Sequence, residues 1–175
     1  MEKIKSKQSI FLIGFMGSGK TTIGKILAKK MEYSFLDTDK IIEQEEGISV
    51  SKIFEQFGEK YFRNLEKLVL KRIVKNNVNQ VVATGGGMSC NQHNINVMKE
   101  NGKIVFLELD KKSILNRLKN AKQKRPILDN LSEKELLNRI DFLLTKRMKY
   151  YAQSDITFDS ISAKDKIKYL LIRLK

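Results

Sequence analysis

The sequence predicts an α/β protein in which helices flank a five-stranded parallel β-sheet in a three-layer sandwich. Five short apolar, β-branched runs alternate along the 175 residues with stretches whose apolar side chains recur at helical spacing, which is the pattern of a parallel sheet. A glycine-rich turn also joins the first run to the first helix. The length fits a single domain over residues 1–175.

The predicted strands and helices follow one another along the chain. Apolar side chains on one face predict a helix over 19–31, directly after the first strand. No strand is predicted over 38–76, where Gly47 and Gly58 separate three helical pieces, so this insertion is a candidate substrate-binding lobe. The predicted strands are 10–13, 34–36, 81–84, 103–109 and 156–158.

Two helix-start signals organise the C-terminal half. Asp110 is placed to cap the helix after the fourth strand, and Ser132 with Glu135 forms a capping box ahead of a long helix. The polar, basic stretch between these helices holds the only proline, Pro126. It predicts a mobile loop, and we expect a lid over about 119–131. A last helix is predicted after the fifth strand.

The composition narrows the possible partners. The net charge of +14 comes mostly from lysines spread over every predicted helix, and no basic run is interleaved with aromatic residues, so we expect no specific nucleic-acid partner. No apolar run or N-terminal leader indicates a membrane span or secretion, and we expect a cytoplasmic protein that works as a monomer. The single Cys90 and single His93 predict a packed thiol and an exposed helix residue rather than a zinc site.

A phosphate-binding loop is the clearest motif. The spacing Gly14-x-x-x-x-Gly19-Lys20-Thr21 meets the complete P-loop pattern over residues 14–21. Glycines, including Gly17, let backbone N–H groups turn toward phosphate oxygens at the start of a helix. The lysine ammonium reaches the β- and γ-phosphates, and the threonine hydroxyl is a ligand for Mg²⁺.

The aspartate that usually accompanies this metal ion is not found at the end of the expected strand. In many P-loop proteins an apolar strand ends in an aspartate, but the 81–84 strand ends in threonine and runs into glycines. Asp37 and Asp39 instead follow the second strand, at the sheet edge where ligands bind in open α/β folds. Two carboxylates on one turn can face different partners, the metal ion and a phosphoryl acceptor, although Asp37 could also simply cap the next helix.

The arginines indicate what kind of molecule receives the phosphoryl group. Four of the seven arginines, Arg63, Arg117, Arg125 and Arg147, lie where they could converge on a cleft. Glu66 lies three residues after Arg63 on one helical face, so its carboxylate can hold the guanidinium in position. Arg147 lies four residues after Leu143, on the apolar face of the long predicted helix. The run 85–87 is all glycine, and its bare backbone permits close approach of a ligand. Together these features predict a small acceptor with a carboxylate and hydroxyl groups.

The motifs, taken in order, closely resemble those of shikimate kinase, and the resemblance covers nearly the whole chain. It implies a P-loop NTPase fold of the nucleoside-monophosphate-kinase type, with a lid and a helical substrate-binding lobe. The matching motifs are Gly14-Phe-Met-Gly-Ser-Gly-Lys-Thr21, Asp37-Thr38-Asp39, Phe62-Arg63-x-x-Glu66, Thr84-Gly85-Gly86-Gly87, Arg125-Pro126-Ile-Leu128 and Arg147-x-x-x-Tyr151.

The resemblance implies an activity and a role for each site residue. The activity is transfer of a phosphoryl group from ATP to the 3-hydroxyl of shikimate, a step toward chorismate and the aromatic amino acids, with Mg²⁺ as cofactor. Lys20, Asp39 and Arg125 would be catalytic, with Asp39 as candidate base, and Thr21 and Asp37 would hold the metal ion, Asp37 through coordinated water. The implied ATP contacts are Gly14, Gly17, Ser18, Gly19, Lys20, Thr21, Thr22, Arg117 over adenine and Arg125 from the lid. The implied shikimate contacts are Asp39, Phe54, Phe62, Arg63, Gly85, Gly86, Gly87 and Arg147.

Two other functions are open at this point. One is another small-molecule P-loop kinase, of the gluconate or nucleoside monophosphate type, since these also have a lid and an acceptor lobe. The other is a nucleic-acid-binding NTPase, which the net charge of +14 would favour and which a salt-dependent shift of DNA or RNA would reveal.

Overall fold

The structure is a computed structural model that describes residues 8–120, 131–159 and 163–174. Its sheet has five strands, all parallel, in the order β2-β3-β1-β4-β5, as predicted. The strands are β1 (Ser9–Ile13), β2 (Ser34–Asp37), β3 (Gln80–Ala83), β4 (Gly102–Glu108) and β5 (Ile156–Asp159). The helices are α1 (Lys20–Met31), α2 (Thr38–Glu46), α3 (Val50–Lys75), α4 (Gln92–Asn101), α5 (Lys111–Lys119), α6 (Glu133–Tyr151) and α7 (Ala163–Leu174).

The strand order places a topological switch point at β1. The chain moves from β1 to β2 and β3 on one side, and then crosses to β4 and β5 on the other. Connections on the two sides of β1 therefore diverge, and a crevice opens at its carboxyl end, where ligands bind in open α/β sheets. The glycine-rich loop begins at this point.

Alternating side chains of the buried strands form two cores, one on each face of the sheet. Phe11, Ile13 and Phe106 pack against the face covered by α2, α3 and α4. Leu12 and Leu107 pack on the opposite face, under α1 and α7. A third apolar cluster lies beneath α5 and α6. The predicted three-layer arrangement is therefore confirmed.

The helical insertion between β2 and β3 consists of three pieces, as predicted. Gly47 ends α2 with φ of 69°. Gly58 interrupts α3 with φ of 78° and ψ of 172°, a backbone conformation that is essentially restricted to glycine. The kink lets the two parts of α3 take different directions over the sheet edge.

Several local predictions are confirmed, with shifts of one residue at strand ends. Asp110 caps α5 by accepting a hydrogen bond from the Ser113 N–H at 2.9 Å. Ser132 and Glu135 form the predicted capping box. His93 is exposed on α4, and Cys90 is partly buried just before it.

The lid prediction lies largely outside the described residues. Positions 121–130, including Arg125, are not described, whereas Lys119 is the last residue of α5. Within the described ranges, no helix is long and apolar enough to cross a membrane.

Candidate active site

The phosphate-binding loop connects β1 to α1, and two of its glycines are required by geometry. Gly14 and Gly19 have φ of 141° and 94°, values that L-residues with side chains rarely adopt. A Cβ on Gly14 would also lie only 2.7 Å from the Leu107 carbonyl oxygen of the neighbouring strand β4. The loop thus fits against the sheet only without side chains at these positions.

The Lys20 ammonium lies over this loop. Its Nζ donates hydrogen bonds to the carbonyl oxygens of Gly14 and Phe15, each at 2.9 Å. The side chain is largely buried and lines a cavity of about 500 Å³. The same cavity is lined by Gly17, Gly19, Thr21, Thr22, Asp37, Asp39 and Arg117, so most of the predicted ATP-binding residues are brought together. Ser18 is buried in the loop.

Thr21 and Asp37 form a pair suited to a divalent cation. The Thr21 hydroxyl donates to the Asp37 carboxylate at 2.7 Å, across the gap between α1 and the end of β2. Asp37 also caps α2 through the Lys40 N–H at 3.3 Å, so the capping and metal-binding interpretations are compatible. Hydroxyl and carboxylate oxygens are the ligands that Mg²⁺ prefers, and it commonly takes only one or two of them from protein. The residues present therefore fit Mg²⁺.

Arg117 reaches the loop from α5. Its Nη1 donates a hydrogen bond to the Gly17 carbonyl at 3.0 Å, and the guanidinium lies 3.5 Å from where a Cβ on Gly19 would be. The side chain therefore borders the phosphate-binding loop. Its contact with adenine stays a prediction.

The glycine run after β3 makes room for side chains of the insertion. A Cβ on Gly85 would lie 2.5 Å from Asp39 Oδ1 and 2.8 Å from Glu66 Oε1. A Cβ on Gly87 would lie 2.5 Å from the Arg63 guanidinium. The sequence predicts that this bare backbone permits close approach of a ligand, and in the structure the side chains of Asp39, Glu66 and Arg63 also require it.

Arg63 is held by two carboxylates and two aromatic rings. Its Nη1 donates to Glu66 at 2.7 Å, and its Nη2 donates to Glu59 at 2.8 Å. The guanidinium carbon lies 5.9 Å and 5.6 Å from the ring centroids of Phe54 and Phe62. Ion pairs and ring contacts together fix the direction of the guanidinium, as the spacing of Arg63 and Glu66 predicts.

Glu66 is buried, and its charge is poorly solvated. Burial raises its pKa to about 7, although the Arg63 guanidinium lowers the pKa and the Asp39 carboxylate adds to the rise. A carboxyl group with such a pKa titrates near neutrality rather than near its usual range. The sequence indicates the pairing with Arg63 but not the burial, which depends on how α3 packs against α2 and the glycine run.

Arg147 lies on the inward face of α6, as the helical spacing predicts. The residue is 7 % exposed, and its Nη1 donates to the Gly86 carbonyl at 3.0 Å. Its guanidinium carbon lies 5.2 Å from the Phe15 ring centroid. Arg63, Arg147 and Gly87 line one cavity of about 830 Å³, so the two guanidinium groups predicted to meet at an anionic ligand do converge.

Two supporting residues have structural roles that the sequence does not predict. Thr38 is buried, and its hydroxyl accepts a hydrogen bond from the Gly85 N–H at 2.8 Å, which ties α2 to the glycine run. Tyr151 stacks on Phe106 with ring centroids 4.7 Å apart, and its hydroxyl lies 3.4 Å from the Gly86 carbonyl. Thr38 and Tyr151 lie within the Asp-Thr-Asp and Arg-x-x-x-Tyr motifs, and this position is the only sequence signal that could have identified them.

The fold and the site define a class of protein, the P-loop kinases that act on small molecules. A phosphate-binding loop stands at the switch point of a parallel sheet, and a helical insertion beside it carries a carboxylate and an anchored arginine. A sequence profile of the shikimate kinase family matches residues 16–173. The chain belongs to the shikimate kinase family.

Individual relatives agree with this assignment. A shikimate kinase from Sulfurihydrogenibium sp. is 44 % identical over 153 residues, which cover 87 % of this chain and 88 % of the relative. The solved structure of shikimate kinase from Acinetobacter baumannii in complex with shikimate superposes with a TM-score of 0.84 at 32 % identity, covering 94 % of this chain and 91 % of that one.

A gluconokinase from Sinorhizobium meliloti shares the fold alone. It superposes with a TM-score of 0.56 at 16 % identity, and the match covers 95 % of this chain and 91 % of that chain. The P-loop kinase fold is therefore confirmed, while the family match favours shikimate kinase over the gluconate alternative.

Proposed function

We propose that the protein transfers the γ-phosphoryl group of ATP to the 3-hydroxyl of shikimate, giving shikimate 3-phosphate and ADP for the synthesis of chorismate and the aromatic amino acids. One observation carries the proposal: Asp39 connects the two halves of the site. It lines the cavity of the phosphate-binding loop, and Oδ1 approaches Gly85 beside the group formed by Glu66 and Arg63. That the 3-hydroxyl is the one that accepts the phosphoryl group is implied by the family.

The nucleotide side of the proposed reaction uses the loop and the cations around it. Lys20 and the backbone N–H groups of the loop bind the phosphates, and Lys20 neutralises charge that develops during transfer. Ser18 and Thr22 belong to the same loop and the first turn of α1. We propose that Arg117 covers the adenine and that Arg125, which lies outside the described residues, contacts the phosphates from the lid.

The cofactor in this proposal is Mg²⁺, which Thr21 would hold directly and Asp37 would hold through coordinated water. The fit rests on the 2.7 Å contact between their oxygens. When bound, Mg²⁺ would neutralise charge on the nucleotide phosphates. In the described part of the chain, no group of three or more His, Cys, Asp and Glu side chains is arranged to hold a metal ion.

The acceptor side binds a hydroxylated carboxylate. Arg63 and Arg147 pair with the carboxylate, since guanidinium groups match carboxylate geometry with two parallel hydrogen bonds. Phe54 and Phe62, whose ring centroids lie 4.8 Å apart, provide an apolar wall, and the backbone of Gly85, Gly86 and Gly87 borders the ring of the acceptor. Asp39 orients the reacting hydroxyl and can accept its proton as transfer proceeds.

We also propose that the protein works as a cytoplasmic monomer without a nucleic-acid or membrane partner. The net charge is supplied mainly by dispersed lysines, which supports a solvated surface rather than a nucleic-acid groove. Sedimentation of the purified protein, with and without duplex DNA at low salt, would test the monomeric state and the absence of a nucleic-acid partner together.

The function is tested by measuring ADP release in parallel with shikimate, quinate, gluconate and nucleoside monophosphates. We expect rapid turnover with shikimate, and phosphorus–proton coupling in the NMR spectrum of the product should assign the phosphate to the 3-oxygen. Lys20→Ala is the control for contaminating kinases, since it removes the cation at the phosphates. Turnover with gluconate or a nucleoside monophosphate but not with shikimate would overturn the proposal.

A further inference from the structure

Glu66 stands out among the acidic residues of the chain. Of the Asp and Glu residues that the structure describes, it alone is buried, with an exposed fraction of 0 %. Its Oε2 accepts the hydrogen bond from Arg63, whereas its Oε1 has no hydrogen-bond partner among the described residues. A buried carboxylate oxygen without a donor is unfavourable, and a proton on that oxygen would remove the charge that makes it so.

A second carboxylate faces the same oxygen. Glu66 Oε1 from α3 and Asp39 Oδ1 from α2 both converge on the position that a Gly85 Cβ would occupy. Two carboxylates that share a low-dielectric site disfavour each other's ionisation. The remaining groups that act on Glu66 are the Arg147 guanidinium from α6 and the Cys90 thiol from the segment before α4. The Arg63 guanidinium acts on it from its own helix.

The cation that compensates Glu66 is already shared. Arg63 donates to Glu59 through both Nε and Nη2, so its charge is divided between two carboxylates. Binding of a third carboxylate, that of the acceptor, to Arg63 and Arg147 would leave Glu66 with less compensation while adding a negative charge nearby. Glu66 has almost no exposure to water that could make up this loss.

We propose that Glu66 takes up a proton from solvent when the carboxylate of the acceptor binds to Arg63 and Arg147. The proton goes to Oε1, the oxygen that faces Asp39, and Glu66 becomes neutral. The Arg63 guanidinium then pairs with the carboxylate of the acceptor. This inference rests on the proposed function, because it requires that the acceptor carboxylate binds at this pair. Glu66 is then a positioning residue that keeps the net charge around Arg63 and Arg147 constant when the acceptor binds.

The titration of Glu66 supports this exchange. Burial raises its pKa to about 7, so the free protein at about pH 8 carries mostly ionised Glu66, and a further rise on binding produces net proton uptake. Since the bound state holds more protons than the free state, affinity for the acceptor must fall as pH rises through this range. If one full proton is taken up on binding, the dissociation constant of the acceptor rises at most about tenfold for each unit of pH.

The test is calorimetry of shikimate binding at about pH 8 in phosphate, HEPES and Tris buffers, which differ in ionisation enthalpy. The slope of binding enthalpy against ionisation enthalpy gives the number of protons taken up. We expect about half a proton or more for the unmodified protein and a slope near zero for Glu66→Gln. One control should keep the slope: His93→Gln, which removes the only histidine.

The outcomes separate the inference from the proposed function. A zero slope in the unmodified protein, or an unchanged slope in Glu66→Gln, overturns the inference while turnover of shikimate leaves the function intact. Absence of both binding and turnover overturns both. If Glu66→Gln does not fold, the infrared difference spectrum of the unmodified protein decides. A new protonated-carboxyl stretch on addition of shikimate supports the inference, and its absence contradicts it.

Discussion

The Arg147 guanidinium and the Gly86 carbonyl are joined by a hydrogen bond of 3.0 Å that connects α6 to the glycine run after β3. This bond aims a buried cation at the backbone that borders the proposed acceptor site. Arg147 therefore has a fixed position before any anion pairs with it, and little side-chain entropy is lost on binding.

Replacing Arg147 should weaken acceptor binding selectively. Arg147→Met removes a charge from a desolvated pair, which typically costs about 2–5 kcal/mol, so the KM for shikimate should rise at least about tenfold. The KM for ATP should hardly change. Arg139→Met is the matched control, since Arg139 lies on the same helix with its guanidinium over the exposed ring of Phe142. Equal effects of the two substitutions would contradict the role of Arg147.

At Arg63, the shape of the cation should matter as well as its charge. Arg63→Lys keeps the charge but loses the fork that contacts Glu59 and Glu66 and would pair with a carboxylate. We expect the KM for shikimate to rise about tenfold or more, with the KM for ATP preserved. Steady-state kinetics of Arg72→Lys provide the comparison, since Arg72 lies on the same helix and forms an exposed ion pair with Glu45. A parallel loss of ATP affinity would argue against the proposed carboxylate pair.

Asp39→Asn should slow phosphoryl transfer far more than it weakens nucleotide binding. The amide keeps the size of the side chain but cannot accept the hydroxyl proton, a contribution typically worth about 10²–10⁴ in rate. Single-turnover kinetics and equilibrium binding of ATP measure the two effects separately. Asp141→Asn, in an exposed ion pair with Lys111, should change neither. A near-normal rate in Asp39→Asn would remove this residue from the mechanism.

A single methyl group at Gly85 should disrupt the site. The Cβ of Gly85→Ala would overlap Asp39 Oδ1 and Glu66 Oε1, and overpacking of this kind costs about 1–3 kcal/mol. Displacement of Asp39 by about 1 Å should lower kcat by about two orders of magnitude. For comparison, a Cβ at Gly47 meets nothing within 4 Å but has φ of 69°. Gly47→Ala should therefore lose about 1–2 kcal/mol of stability and keep its kcat.

The proposed metal-binding role of Asp37 can be tested separately from its role as a helix cap. Asn caps helices about as well as Asp, so Asp37→Asn should preserve α2 while losing the charge beside Thr21. We expect the Mg²⁺ concentration for half-maximal activity to rise about 10–100-fold, with thermal stability close to that of the unmodified protein. An unchanged Mg²⁺ requirement would contradict the proposed metal site. Asp110→Asn, at the cap of α5, is the control.

Patterns of local sequence were sufficient to predict the sheet and the phosphate-binding loop. Buried parallel strands are short apolar runs, and the loop has a fixed spacing of glycines, so both are visible without tertiary information. Strand ends were displaced by one residue because the ladder, rather than hydrophobicity, decides where a strand stops.

Contacts between distant segments were less predictable. The convergence of Asp39 and Glu66 on Gly85 depends on how α2 and α3 pack over the end of β3, and no periodicity encodes that packing. The pairing of Arg63 with Glu66 could be predicted because both residues lie on one helix. The inward direction of Arg147 followed from helical spacing, whereas its bond to Gly86 required the tertiary structure.

The kink at Gly58 has a consequence for the size of molecule that the site admits. Phe54 lies before the kink and Phe62 after it, and their rings are in contact across it. The two parts of α3 are therefore joined by a contact between two aromatic side chains as well as by the non-helical backbone at Gly58. The width of the proposed acceptor site beside Arg63 should therefore depend on the size of residue 54. A smaller or larger side chain at this position should let the site take wider or narrower acceptors than the natural one.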